Sequence, residues 1–163
     1  MIRSVVRSLS ALAVIIAAIA SLSLARAEDG QVWLSKSSGS LVTLAYGPID
    51  PSKAPLFLLS CFNGMDVAVL DIHQEVAGAK PGEKLTIALS ASGTTASLDG
   101  ETSHDDASGL TFAEASDIKV KPILAVLRET GPVTVKMGET TVTLAEQGRA
   151  DAVETFAADC KLD

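Results

Sequence analysis

PLFLLSCFNGMDVAVLDIH, residues 55–73, contains two apolar runs separated by Asn63-Gly64. Asn-Gly is typical of two-residue hairpin turns, because both turn positions need a positive φ. Each run is apolar on both faces, as in strands that are covered on both sides. The stretch therefore predicts an antiparallel hairpin in the middle of a β-rich fold.

Further segments with strand character lie on both sides of this hairpin. KLTIALS and TTASLDG meet at Ser92-Gly93, PVTVKM and TTVTLA flank Gly138-Glu139, and LVTLAYG and LTFAEA stand alone. Residues 28–40 are largely polar, and residues 99–109 are predicted to form a polar loop. Five to eight short strands with two short helices predict a mainly β fold, an antiparallel β-sandwich or an open barrel.

The two predicted helices lie in the last third of the chain. KPILAVLRETGP has Pro122 in the first helical turn and ends at Gly131-Pro132. GRADAVETFAADC places Val153, Phe156 and Cys160 on one face at helical spacing. We expect both helices to close one edge or end of the β-structure.

Cys61 and Cys160 are the two cysteines of the chain. In an exported protein such a pair persists as a disulfide. The bond would fasten the short C-terminal helix, which would fray alone, to a core strand. A redox-active pair usually relies on a C-x-x-C motif, and the sequence has none. We therefore predict a structural disulfide between Cys61 and Cys160.

Residues 1–27 have the pattern of a secretory signal. Arg3 and Arg7 precede an apolar run, and small residues end in Ala-Arg-Ala. The alternative is a membrane anchor, but Ser21 and Ser23 interrupt the run. We expect cleavage after Ala27, Sec-type export to the bacterial periplasm or beyond, no stable membrane anchor after cleavage, and one β-rich domain over residues 28–163.

The charge of the chain excludes one class of partner. The formal charge is −7, and removal of residues 1–27 would leave 10 basic and 20 acidic residues, a charge of −10. Such a protein is repelled by nucleic acid and by anionic lipid. We expect no nucleic-acid partner and no cofactor, and the partner is an unidentified protein or small molecule.

The richest polar cluster comprises Asp99, Glu101, His104, Asp105 and Asp106. Carboxylates with a histidine can hold a divalent cation. The spacing matches no EF-hand loop, because glycine occupies none of the required positions. A solvated acidic loop is the favoured interpretation, and the five residues remain weak candidates for a metal site.

A second pair of polar residues, Asp71 and His73, would share one face of a strand. Such a pair can orient an imidazole for base catalysis, or form a simple hydrogen bond at a strand end. The sequence has no G-x-S-x-G, S-x-x-K, H-E-x-x-H or glycine-rich phosphate motif. No catalytic residue is therefore predicted.

The tail from Ile123 to Cys160 resembles the C-terminal part of small exported bacterial proteins of the invasion-associated locus B type. It has a short helix, a glycine, a hairpin, a TL…G stretch and a final helix whose Ala-Val pair precedes a cysteine. That family typically has a cysteine pair soon after a tryptophan near its start, whereas QVWLSKSSG has Trp33 and no cysteine. The resemblance implies an exported β-sandwich without known catalytic residues.

These observations favour an exported, non-enzymatic binding or interaction module. The alternatives are a small hydrolase that uses carboxylates, or a cation-binding protein that uses residues 99–106. A binding module predicts an exposed apolar patch or a long unpaired strand edge. An enzyme predicts a concave site where carboxylates converge with His73 or His104.

Overall fold

Nine β-strands and two α-helices form the part of the chain that the structure, a computed structural model, describes, residues 30–65 and 67–161. The expected signal segment 1–27 and the expected mature N-terminus Glu28 lie outside the described residues. The elements are β1 (Gln31–Ser38), β2 (Leu41–Pro48), β3 (Phe57–Phe62), β4 (Ala68–Ile72), β5 (Lys84–Ala91), β6 (Thr94–Asp105), β7 (Leu110–Ile118), α1 (Val120–Leu127), β8 (Val133–Met137), β9 (Thr140–Leu144) and α2 (Arg149–Asp159).

All nine strands belong to one curled antiparallel sheet in the order β1-β2-β3-β4-β7-β6-β5-β8-β9. The predicted hairpin forms β3 and β4, with Cys61 opposite Ala68 and Gly64 at a φ of +82°. β1 and β9 are the two edges. The mainly β prediction is confirmed, and the single sheet is the open barrel of the two predicted architectures.

The inner face of the sheet and the two helices enclose the core. α1 packs against β5 and β6, α2 packs against β1 and β2, and the helices touch each other. The buried face of α2 carries Ala152, Val153, Phe156 and Ala157. Within the described residues, no helix is long and apolar enough to span a membrane.

The predicted disulfide is present between Cys61 of β3 and Cys160 at the end of α2, and both residues are buried. The Gly64 N–H also donates to the Cys160 carbonyl at 3.1 Å. The bond joins positions 99 residues apart in sequence. The C-terminal helix is therefore fastened to the β3–β4 hairpin, as the two cysteine contexts predicted.

Two polar segments form strands, and for one of them, residues 99–109, the prediction of a loop was wrong. Most of the polar stretch 28–40 forms β1, and residues 99–105 continue β6 instead of forming a loop. The polar composition of residues 99–105 does not prevent a strand, because Thr102 is buried with its hydroxyl hydrogen-bonded. The Glu83 N–H donates to Thr102 Oγ1 at 3.0 Å, and that hydroxyl donates to the Lys80 carbonyl. A satisfied hydroxyl can occupy an inward strand position at little cost.

Candidate functional site

A groove of about 510 Å³ lies on the outer face of β1 and β2. Its floor includes Val32, Leu34 and Gly47, and its wall is the proline-rich loop 48–55. We call this the β1–β2 groove. Its volume is within the range of ligand-binding clefts in proteins.

The wall depends on a close approach between Gly47 and Pro55. A Cβ atom at position 47 would lie 2.5 Å from the Pro55 Cα, closer than any real contact. Glycine is therefore needed so that the loop can rest on the strand. The Ile49 N–H donates to the Gly30 carbonyl at 3.0 Å and fixes the start of the loop.

His73 fixes the other end of this loop. Its Nδ1 lies 2.9 Å from the Pro55 carbonyl, and its backbone N–H donates to the Leu56 carbonyl at 2.8 Å. A carbonyl can only accept, so Nδ1 carries the proton in this bond. The ring also stacks on Phe112 with a centroid distance of 4.8 Å. His73 thus supports the wall of the groove through Nδ1, which is directed to Pro55 and not to Asp71.

The groove exposes large apolar side chains. Val32, Leu34 and Ile49 are 37%, 44% and 68% exposed. Val32 and Leu34 belong to β1, which pairs only with β2 among the described residues, so its other edge carries no backbone ladder. Apolar side chains beside an unpaired strand edge are a common binding surface in proteins.

Two lysines give the groove a positive charge. Lys36 lies on β1, opposite Thr43, and Lys53 lies in loop 48–55, which follows the other end of β2. No carboxylate of a described residue forms an ion pair with either lysine. The one lining carboxylate, Asp50, accepts the N–H and the hydroxyl of Ser52, and these bonds lower its pKa.

A row of charged side chains crosses the outer face elsewhere. Asp71, Glu114, Glu101 and Lys84 lie opposite one another on β4, β7, β6 and β5. Lys84 pairs with Glu101. Burial raises the pKa of Asp71, repulsion from Glu114 raises it further, and His73 opposes the change. The row borders a cavity of about 270 Å³ in which no histidine is present.

The structure separates the five residues of the predicted acidic cluster. Asp99 and Glu101 line the 270 Å³ cavity, whereas Asp105 accepts bonds from its own turn, residues 107 and 108. His104 Nε2 lies 3.8 Å from the Asp106 carboxylate. Nowhere in residues 30–65 and 67–161 do three or more histidine, cysteine or acidic side chains form a group that could hold a metal ion.

A second cavity on the surface has fewer features of a binding site. It measures about 560 Å³ and lies between loop 76–79, the start of β5 and the β8–β9 turn. Its charged lining consists of two acids and two lysines, Glu83, Glu139, Lys84 and Lys136. None of the large apolar residues that are exposed elsewhere lines it. The β1–β2 groove is therefore the stronger binding site.

Sequence reasoning missed the residues of the groove, because residues 28–40 were interpreted as a polar segment. The signal was present in QVWLSKSS, where Val32, Leu34 and Lys36 alternate with Trp33 and Ser35. This alternation is that of a strand with one covered face. The structure buries Trp33 and exposes its two apolar neighbours.

Comparison with known proteins gives no relative for this fold: no protein-family model, curated protein or solved structure matches the chain.

Proposed function

We propose that the protein is a non-enzymatic interaction module that binds an extended segment of a partner protein in the β1–β2 groove. The observation that carries the proposal is the exposure of Val32, Leu34 and Ile49 around one concave surface beside an edge strand. Contiguous apolar surface of this kind typically marks an interaction site.

The shape of the groove favours an extended occupant. From the row of Lys36 and Thr43 to the row of Val32 and Gly47 there are four residues, about 13 Å along the strand. A peptide strand of five residues spans this distance and presents its first, third and fifth side chains to the same face. The groove therefore matches one face of a short extended segment.

The experiment uses a neutral, alternating probe peptide, acetyl-Thr-Gln-Thr-Val-Thr-Gln-Thr-amide, titrated into the oxidised protein. We expect methyl resonances of Val32, Leu34 and Ile49 to shift in NMR spectra. Leu34→Lys should abolish the shifts, because it places a charge in the apolar floor. The matched control is Thr143→Lys on β9, the opposite edge strand, which should leave them unchanged. Shifts centred on β9, or none at millimolar peptide, would contradict the proposal.

We further propose that the protein acts outside the cytoplasm. The Cys61–Cys160 disulfide supports export, because such bonds persist in oxidising compartments. The sequence of residues 1–27 supports cleavage after Ala27 and release into the periplasm or beyond. Intact mass of the protein expressed in a bacterium should show a chain that begins at Glu28. Recovery of the full-length chain in the membrane fraction would contradict export with cleavage.

A further inference from the structure

The charge of the β1–β2 groove is opposite to that of the chain as a whole. The chain has a formal charge of −7, yet the groove holds Lys36 and Lys53 without ion-pair partners among the described residues. Asp50, the one acidic side chain of the lining, is already engaged by Ser52. Charges at the rim of an interface select the partner and accelerate its arrival.

We propose that the partner segment is acidic, with an apolar side chain flanked on the same face by two carboxylates. This inference rests on the proposed function. The apolar side chain would lie over Val32 and Leu34, and the carboxylates would reach Lys36 and Lys53. The two rows that bound the floor of the groove, Lys36 with Thr43 and Val32 with Gly47, are about 13 Å apart, so we place the two acidic residues of the segment four positions apart in an extended chain.

A second copy of this chain fits the groove poorly. A two-fold symmetric dimer places the same patch against itself. The two lysines of one copy would then lie against the two lysines of the other, and like charges repel each other across an interface. The excess negative charge of both copies adds to this repulsion.

A single-headed anionic amphiphile, such as a fatty acid, is also less complementary to the groove than an acidic peptide. Its one carboxylate can reach only one of the two lysines, since Lys36 lies on β1 opposite Thr43 and Lys53 lies in the loop that follows the other end of β2. It also offers no backbone groups to the unpaired edge of β1, whereas an extended peptide does. The acidic peptide is the occupant that matches both features.

The experiment compares peptides that differ only at the two flanking positions. Acetyl-Thr-Glu-Thr-Val-Thr-Glu-Thr-amide should bind about fivefold more tightly than the glutamine peptide at low salt, the advantage expected of two exposed ion pairs. The advantage should shrink as salt is raised. Acetyl-Thr-Lys-Thr-Val-Thr-Lys-Thr-amide should bind more weakly than both of these peptides. Calorimetry gives the three dissociation constants.

Variants of the protein locate the effect. The double variant Lys36→Gln and Lys53→Gln should remove the advantage of the glutamate peptide, so that the ratio of the dissociation constants of the glutamine and glutamate peptides falls from about five to about one. Lys136→Gln, an exposed lysine of β8 outside the groove, is the matched control and should retain the full advantage.

Each other outcome is decisive. Equal binding of the glutamate and glutamine peptides, both with shifts at Leu34, would overturn the acidic partner and leave the proposed function standing. Absence of binding by all three peptides would overturn the proposed function. Dimerisation in light scattering that Leu34→Lys abolishes would identify a second copy as the occupant and overturn the inference. The inference would also be overturned if dodecanoate shifted the same methyl resonances and displaced the glutamate peptide at equal concentration.

Discussion

The indole N–H of Trp33 donates to the carbonyl of Ala145 at 2.6 Å, and this bond joins the first strand of the sheet to the segment directly after the last. β1 and β9 share no backbone ladder, so the sheet is open between them. The Trp33 ring also packs on Tyr46 and Phe57, with centroid distances of 5.0 and 5.6 Å. Trp33 thus links the core to both edges of the sheet.

Trp33→Phe should therefore weaken the closure of the sheet. The variant keeps an aromatic ring but leaves the Ala145 carbonyl without its donor, which should cost about 1–3 kcal/mol in the free energy of unfolding. Urea unfolding followed by circular dichroism measures this cost. Amide exchange should become faster in β1 and β9 than in β6. An unchanged free energy of unfolding would show that water replaces the indole at no cost.

Arg149, at the start of α2, provides a second connection, which lies inside the molecule. Only 2% of the residue is exposed, and its Nε and Nη2 donate to the Leu127 and Gly131 carbonyls at 2.9 and 2.8 Å. Nη2 also donates to the Glu129 carbonyl. These carbonyls belong to the end of α1 and the turn after it, where helical acceptors lack partners within the helix. One guanidinium thereby terminates α1 and positions α2.

Arg149→Met should be strongly destabilising, by about 2–4 kcal/mol, because buried carbonyl acceptors lose their donor. The matched control is Arg128→Met, since Arg128 is exposed and pairs with Glu154 at 2.9 Å. An exposed ion pair contributes only about 0–1 kcal/mol. Chemical unfolding of both variants at pH 7 measures the difference. Equal losses would mean that the Arg149 contacts add nothing beyond a surface ion pair.

The fold could be predicted from local signals, whereas the groove could not. Asn63-Gly64 marks the start of the connection between β3 and β4, residues 63–67, and the spacing of Val153, Phe156 and Cys160 defines a helix face, so both appear in the sequence. The disulfide followed because two cysteines allow one pairing within the chain. The hairpin and the helix face depend on residues that are close in sequence, and the disulfide is the one pairing that two cysteines allow within the chain.

The groove depends instead on contacts between separate segments. The approach of Pro55 to Gly47 and the bond from His73 to the Pro55 carbonyl have no local signature. The acidic residues between Asp99 and Asp106 show the converse. They are neighbours in sequence, but a strand sends Asp99 and Glu101 to one cavity and a turn holds Asp105 apart.

Asp71 should make the stability depend on pH in a direction unusual for an aspartate. Burial, then Glu114, raises its pKa above the usual value of 3.8. Its favourable contribution is therefore complete below pH 3.8 and is lost as the pH rises through the pKa of the folded state. Asp71→Asn, which resembles the protonated acid, should gain stability relative to the wild type as the pH rises from 3 to 7. Unfolding curves at several pH values measure the gain.

Asp105→Asn is the control of opposite sign for this pH dependence. Bonds from Ser108, then from the Ala107 N–H, lower the pKa of Asp105. The ionised carboxylate therefore stabilises the fold above pH 3.8, and that contribution is lost as the pH falls through the folded pKa. Asp105→Asn should lose stability relative to the wild type as the pH rises. If both variants followed the same trend, the pH dependence of Asp71 would not come from its surroundings.

The Cys61–Cys160 bond should contribute more to stability than either hydrogen-bonded connection. It closes a loop between positions 99 residues apart, for which the chain-entropy model gives about 4.7 kcal/mol. Cys160→Ser should cost about 2–5 kcal/mol, the usual loss for a native disulfide in a small domain. The reduced wild type, measured under the same conditions, is the matched control and should show a similar loss. Residues 149–161 should also open more readily in hydrogen exchange, because α2 then loses its covalent link to β3 and is held only by non-covalent contacts, such as the packing of Val153 and Phe156 and the bonds of Arg149. Without reductant, mass spectrometry should find one peptide that joins both cysteines, and the protein should migrate as a monomer. Free thiols at both positions, or a disulfide-linked dimer, would contradict the covalent attachment of α2 to β3.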